Sequence, residues 1–330
     1  MKYNYKLDQV RIWASIAVVL IHVTSYLPNL GRETLENYYW YRPILNLGVP
    51  FFFGVSGYLL NAKEDAFVRR YCRNISFRFI IYSLFYVLVD GLILLSLHKN
   101  LLQAASAWLN ERNLYSFFNG TWGQYHLWFL FALIFASYGV GKLLQWRWDI
   151  RYIFFLCLSL NAVIWLTPRS EFLDMLFRYG GIPKAMLYIS LGAMAVQHPP
   201  KIRIQRWHIL LSGVVYGLLF NFSQFNLLNE VALVALTYLL LAYVIQRPGE
   251  YSWLNRWSSM SLDIYVLHVL FLKIVKLYGE AKLWNWFNSD LLYILVLMLV
   301  CVLGSILIYP LVNRFFFDPL EQLLKLNLEE

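Results

Sequence analysis

Within the apolar stretch LDQVRIWASIAVVLIHVTSY, Arg11 and His22 are side chains that lipid rejects. On a helix their spacing is three turns plus about 20°, so both lie on one face, roughly 16 Å apart along the axis. An ionisable group at the centre of a bilayer costs about 2.5–3.5 kcal/mol even on the lenient insertion scales, so such residues face a cavity and mark function. A neutral imidazole can take a proton from an attacking hydroxyl, or accept a transferred group itself. A guanidinium can hold an anion. The plain alternative is a snorkelling arginine beside a satisfied packing histidine. Asp8, one turn before Arg11, is placed to orient it.

Four further clusters carry polar groups. AFVRRYCRNISFRF holds Arg69, Arg70, Arg73 and Arg78 without a lysine. A topology signal could use either cation, whereas the forked guanidinium suits phosphate. WGQYHLWFL holds His126 and Trp128, and by itself reads as an interfacial aromatic belt. SLDIYVLH holds Asp263, Tyr265 and His268; Asp263 near the inner end reads as a partner for a loop arginine, and His268 lies deeper. GVPFFFGVSGYLL sets Gly48, Gly54, Ser56 and Gly57 among bulky aromatics, which by itself means close packing, expected against the first span. Asp90 reads as an interhelical partner; His98, His198 and His208 lie in or beside loops and receive no role. No zinc spacing, nucleotide-binding glycine loop or nucleophile elbow is present, so no metal is expected.

The elements that must position these groups are membrane helices. Of 330 residues, 60% are hydrophobic and 14% charged, with a mean hydropathy of +0.52. A soluble domain averages about 25% charged, so the chain reads as an all-α, polytopic integral membrane protein. Trp and Tyr gather at the ends of apolar runs (Tyr38, Tyr39, Trp40, Tyr41; Trp146, Trp148; Trp284, Trp286), as interfacial belts do. About ten spans are expected at roughly 20 residues each, near 8–28, 43–62, 75–97, 125–145, 150–167, 183–197, 207–223, 228–246, 260–278 and 290–313. Pro50 and Pro310 are expected to kink their spans. Lys63, Arg69, Arg70, Arg73, Arg78, Lys201, Arg203 and Arg206 fall on one side, which puts both termini in the cytoplasm. The first span reads as a retained signal anchor, and 1–330 as a single transmembrane domain without an appended soluble one. Cys157 and Cys301 sit in apolar runs and Cys72 in a basic loop, so no disulfide framework is expected. The net charge of +9 suits anionic lipid or an anionic ligand rather than nucleic acid.

In order and position, these clusters resemble the acyltransferase 3 family of membrane-bound, acyl-CoA-dependent acyltransferases, over essentially the whole chain. LDQVRIWASIAVVLIH is similar to the family's first-helix pattern, with Asp8 before Arg11 and His22 beyond. FFFGVSGYLL, RYCR (Arg70 and Arg73), HLWFL and the run from Ser261 to His268 are similar to its later motifs. Gln9, Val10 and Ile12 depart from the small residues that often flank the arginine. The resemblance implies a stand-alone O-acyltransferase of the bacterial inner membrane, moving an acyl group, commonly acetyl, from cytoplasmic acyl-CoA to a hydroxyl of a cell-surface or lipid-linked sugar. It implies His22 as general base or acyl acceptor, with Asp8 in the catalytic set, and Arg11, Arg69, Arg70 and Arg73 as holders of the CoA phosphates. His126, Trp128, Tyr265, His268 and Ser56 are the candidate acceptor or oxyanion contacts. Acyl-CoA, a glycan acceptor and the bilayer are the expected partners, and a homo-oligomer is left open.

A transporter or flippase of an anionic sugar or lipid could use the same polar stripe. Against it, no inverted repeat is evident in the hydropathy. A non-catalytic scaffold would leave the interior histidines unexplained.

Overall fold

A computed structural model describes residues 3–25, 40–61, 64–96, 100, 102, 105–106, 109, 114–167, 181–222, 226–278, 286–287, 289–320 and 322. Tyr38, Tyr39, Lys63, His98, Pro168 and Trp284 lie outside the described residues. Among those described there is no strand. The principal helices are α1 (Tyr5–Ser25), α2 (Gly48–Leu60), α3 (Asp65–Ser96), α4 (Trp128–Gln145), α5 (Ile150–Leu166), α6 (Ile182–Gln197), α7 (Arg206–Phe222), α8 (Asn226–Gln246), α9 (Ser261–Tyr278) and α10 (Asp290–Val312). Among the described residues six stretches are long and apolar enough to cross a membrane: Tyr5–Thr24, Trp40–Leu60, Asp65–Ser96, Tyr125–Gln145, Leu227–Gln246 and Asp290–Leu320. The helices α5, α6, α7 and α9, of 17, 16, 17 and 18 residues, stand at the positions of the other expected spans.

Contacts at both ends of the helices fix their directions. Lys142 of α4 pairs with Asp65 at the start of α3 (2.7 Å), while Phe131 meets Phe79 further along, so α3 and α4 are antiparallel. Asn161 of α5 reaches the Pro183 carbonyl at the start of α6 (2.9 Å), and Asp149 before α5 lies beside His198 after α6. By contrast α1, α3 and α9 run parallel. Ser15 donates to the Ser261 carbonyl (2.7 Å), and seven residues on in each helix His22 stacks on His268. Tyr82 donates to Asp263, Tyr86 to the Val266 carbonyl (2.6 Å), and Lys273 to Asp90 (2.6 Å). The interhelical role expected of Asp90 is therefore filled by Lys273.

The tightest crossing joins α2 and α6. A Cβ on Gly57 would collide with the Ile189 carbonyl, and one on Gly192 with the Gly54 carbonyl, so both helices need glycine to approach this closely. Gly48 faces α1 at Ala14 and Val18. Close packing of the second span is thus shared between α1 and α6, and the α6 contact is the closer one.

Two local expectations need correction, and a third, for Pro310, does not. Helix α3 begins at Asp65, so the basic run and Cys72 lie on a continuous helix and not in a loop; Cys72 is buried against α4. Pro50 does not kink the middle of a helix. The chain breaks at 46–47, and Pro50 sits in the first turn of α2, where no backbone N–H partner is required. Pro310 lies inside α10 and is followed directly by a π-turn, Asn313–Phe317, the kind of irregularity that bends helices.

Candidate active site

Three histidines from distant parts of the chain converge at one end of the α1–α9 seam. His22 stacks on His268 with ring centroids 5.2 Å apart, and His126 meets His268 edge-on at 5.7 Å. His126 and His268 are fully buried, while His22 keeps partial exposure. The belt role expected of His126 from its motif alone is overturned by that burial. It stands on a one-turn 3-10 helix, Tyr125–Leu127, begun by the Gln124 side chain accepting from the Tyr125 N–H (3.0 Å). Gly123 lets this turn lie against α3, because a Cβ there would strike Ser83.

Backbone carbonyls fix two of the rings. A carbonyl only accepts, so His126 donates through Nε2 to Val266 (3.0 Å) and His268 donates through Nδ1 to Tyr265 (2.6 Å). The other nitrogens, His126 Nδ1 and His268 Nε2, are buried without a hydrogen-bond partner among the described residues. Each such orphan costs about 1–3 kcal/mol, a sign of a site kept for something other than stability. Tyr265 donates to the His126 carbonyl, and Tyr86 shares the Val266 carbonyl with His126. The cluster is therefore tied to α3 and α9 at once. The three rings pack face and edge against one another. Among the described residues no group of three or more His, Cys, Asp or Glu side chains is placed to hold a metal ion.

Two residues not among those expected from the sequence join His22. The Tyr125 hydroxyl lies 3.3 Å from His22 Nδ1, and the two rings meet edge-on at 5.3 Å. Arg42 places its charge within electrostatic reach of His22 and donates to Asn46 (2.9 Å), which in turn reaches the Tyr216 hydroxyl (3.2 Å). Tyr125 was visible beside His126 in its motif. Arg42 was hidden in an aromatic run that reads as an interfacial belt.

The other end of α1 is cationic. Arg11, 28% exposed, pairs with Asp8 at 3.3 Å, and Asp8 also accepts from Tyr3. That hydrogen bond, with some burial, pushes the Tyr3 phenol up to about 12 and keeps it a donor at neutral pH. Ser56 accepts from Tyr71 (2.9 Å), which lies within the field of Arg11. Arg70 and Arg73 are exposed on the first turns of α3, and among the described residues neither has a hydrogen-bond or ion-pair partner. Arg69 differs, being paired with Asp65. Asp263 pairs with Arg78 (3.7 Å), which stands on α3 and not on a loop.

The structure thus gathers His22, His126, Tyr265 and His268 at one end, and Asp8, Arg11 and Ser56 near the basic turns of α3 at the other. Trp128 joins neither set; its ring lies against Phe53 and Phe129. An anion holder and an imidazole site on one helix face can bind a long anionic molecule and carry out proton or group transfer at its far end. Comparison with known families agrees: an acyltransferase domain, Acyl_transf_3, matches residues 4–310. No curated protein and no solved structure gives a significant match. With nearly its whole length matched and its apolar helices long enough to span a bilayer, the chain belongs to the acyltransferase 3 family, as a multi-pass membrane acyltransferase.

Proposed function

We propose that the protein is an O-acyltransferase that moves an acyl group, acetyl in the simplest case, from cytoplasmic acyl-CoA to a hydroxyl of a cell-surface or lipid-linked sugar. The observation that carries this reading is the half-buried His22, stacked on His268 and on the same α1 face as Arg11. The basic ends of α1, α3 and α7 face the cytoplasm under the positive-inside rule, with ten spans, both termini inside and one domain throughout. The membrane is the inner membrane of a bacterium.

Arg70 and Arg73 fit CoA phosphates, because their forks are exposed and among the described residues carry no carboxylate partner to displace. Arg11, braced by Asp8, takes the next group inward. Arg69 contributes less, since Asp65 already holds it. The thin arm of the acyl-CoA runs along α1 for roughly 16 Å and brings the thioester to His22. In the tautomer whose Nδ1–H meets the Tyr125 oxygen, His22 keeps the Nε2 lone pair as a base. The sugar oxygen attacks the thioester carbon and its proton passes to Nε2. As the tetrahedral intermediate collapses, the C–S bond breaks and the imidazolium returns the proton to the CoA sulfur. The products are an ester and free CoA. His268, stacked on His22 and backed by His126, holds the His22 ring in place, and Arg42, bonded to Asn46, lies within electrostatic reach of it.

Detergent-purified protein, in which no compartments exist, tests the assignment: it is expected to release free CoA from acetyl-CoA when supplied with membrane glycan extract. Movement of sugar or lipid across vesicles without acetyl-CoA consumption would instead make the polar stripe a transport pathway.

A further inference from the structure

At the basic end, on the side of α1 away from its polar face, a groove of about 630 Å³ opens between the starts of α1 and α7 and the end of α8. Lys6 is about 160° around the helix from His22 and about 140° from Arg11, so the groove does not belong to the acyl-transfer face. One ring organises it. Lys6 Nζ lies 5.0 Å from the Tyr243 centroid, Arg247 stands 4.5 Å from it, and Arg206 Nε donates to its hydroxyl (3.2 Å). Three full positive charges therefore surround a single tyrosine. No carboxylate lines the groove, and among the described residues none of the three cations has an ion-pair partner. Like charges gathered without an acid repel one another unless an anion joins them.

The lining continues as apolar surface. Trp207 and Leu210 are 58% and 68% exposed, and beyond them Leu211, Val214 and Leu218 present the outer face of α7, on which only Tyr216 is buried. Cations at a helix start, with an interfacial tryptophan and an unbroken aliphatic face beneath, match one kind of molecule: a phosphate head joined to acyl chains. A soluble phosphate would use the cations and leave the apolar face idle.

The geometry points to an anionic phospholipid bound here, its phosphate held by Lys6, Arg206 and Arg247 and its chain laid along α7. The Lys6 N–H also bonds the Pro248 carbonyl (2.8 Å), so the lipid clamps the first turn of α1, the helix that carries Arg11 and His22, to α7 and α8.

The test uses the full chain in nanodiscs of phosphatidylcholine alone or mixed with phosphatidylglycerol, reading lipid retained through detergent extraction by mass spectrometry and the melting temperature. Wild-type protein is expected to retain phosphatidylglycerol over phosphatidylcholine and to melt higher with it. Lys6→Gln, Arg206→Gln and Arg247→Gln together are expected to cut that preference about 100-fold. Because Arg206 also anchors Tyr243, the milder Lys6→Gln, whose ammonium makes no hydrogen bond there, is measured alongside and is expected to lose about fivefold. Equal retention of the two lipids by wild-type protein overturns the proposal. So does equal protection by inorganic phosphate or by CoA, which would make the groove a site for soluble anions. None of these readouts requires acyl transfer, so the proposal stands or fails independently of the catalytic reading.

Discussion

The two ends of α1 solve opposite problems. Around His22 the side chains are locked: two of the three imidazoles are fixed by backbone carbonyls, and the cluster is held by tyrosines from α3 and α9. Around Arg11 the charges sit on exposed turns, and among the described residues Arg70 and Arg73 have no partner. A group that must meet a reacting carbon needs placement within fractions of an ångström, whereas groups that catch phosphates need only charge and reach. The contrast teaches that the histidine end should fail abruptly on substitution and the arginine end gradually.

Removing His22 should have the largest effect. His22→Ala should lose about 10²–10⁴-fold in turnover in an acetyl-CoA release assay, with yield and melting temperature near wild type. A smaller loss would erase the contrast between the ends. Next comes the packing that holds the helices in place. Gly57→Ala forces a methyl into the Ile189 carbonyl, with an expected cost of about 3 kcal/mol or more, read as a lower melting temperature and poorer yield. Unchanged stability would show that α2 and α6 can separate without harm.

The arginine end is next. Arg70→Ala with Arg73→Ala should raise KM for acyl-CoA about 10–100-fold while kcat changes little, because the lost contacts serve binding. A fall in kcat at constant KM would place these residues in the chemistry and not at the entrance. Tyr125→Phe is the mildest, removing one long hydrogen bond to His22 and costing about 1 kcal/mol, or roughly fivefold in kcat. No change would leave the His22 tautomer to other groups.

Much of this was legible in the chain. The shared face of Arg11 and His22 follows from helical spacing alone, and the structure keeps it while adding what spacing cannot give: the stacking of His22 on His268, nearly 250 residues away in the chain. The pairing of Asp8 with Arg11 was readable for the same local reason. The motif around His126 alone suggests a belt because an aromatic flank looks alike whether a residue faces headgroups or a protein interior; only burial separates the two. Arg42 was invisible because its importance comes from α7 and α1, and no local pattern encodes a neighbour of that kind. The start of α3 was placed too late because hydropathy finds where a helix enters lipid, and says nothing of the polar turns that precede it.

The most direct test of whether a thioester reaches His22 is labelling with bromoacetyl-CoA, whose electrophilic carbon sits beside the carbonyl of the acyl group. Alkylation of the peptide containing His22 is expected, suppressed by free CoA and weakened in the Arg70→Ala, Arg73→Ala variant. Cys72, Cys157 and Cys301, all buried, should stay unlabelled. Label that spares His22, or that CoA does not suppress, would contradict it.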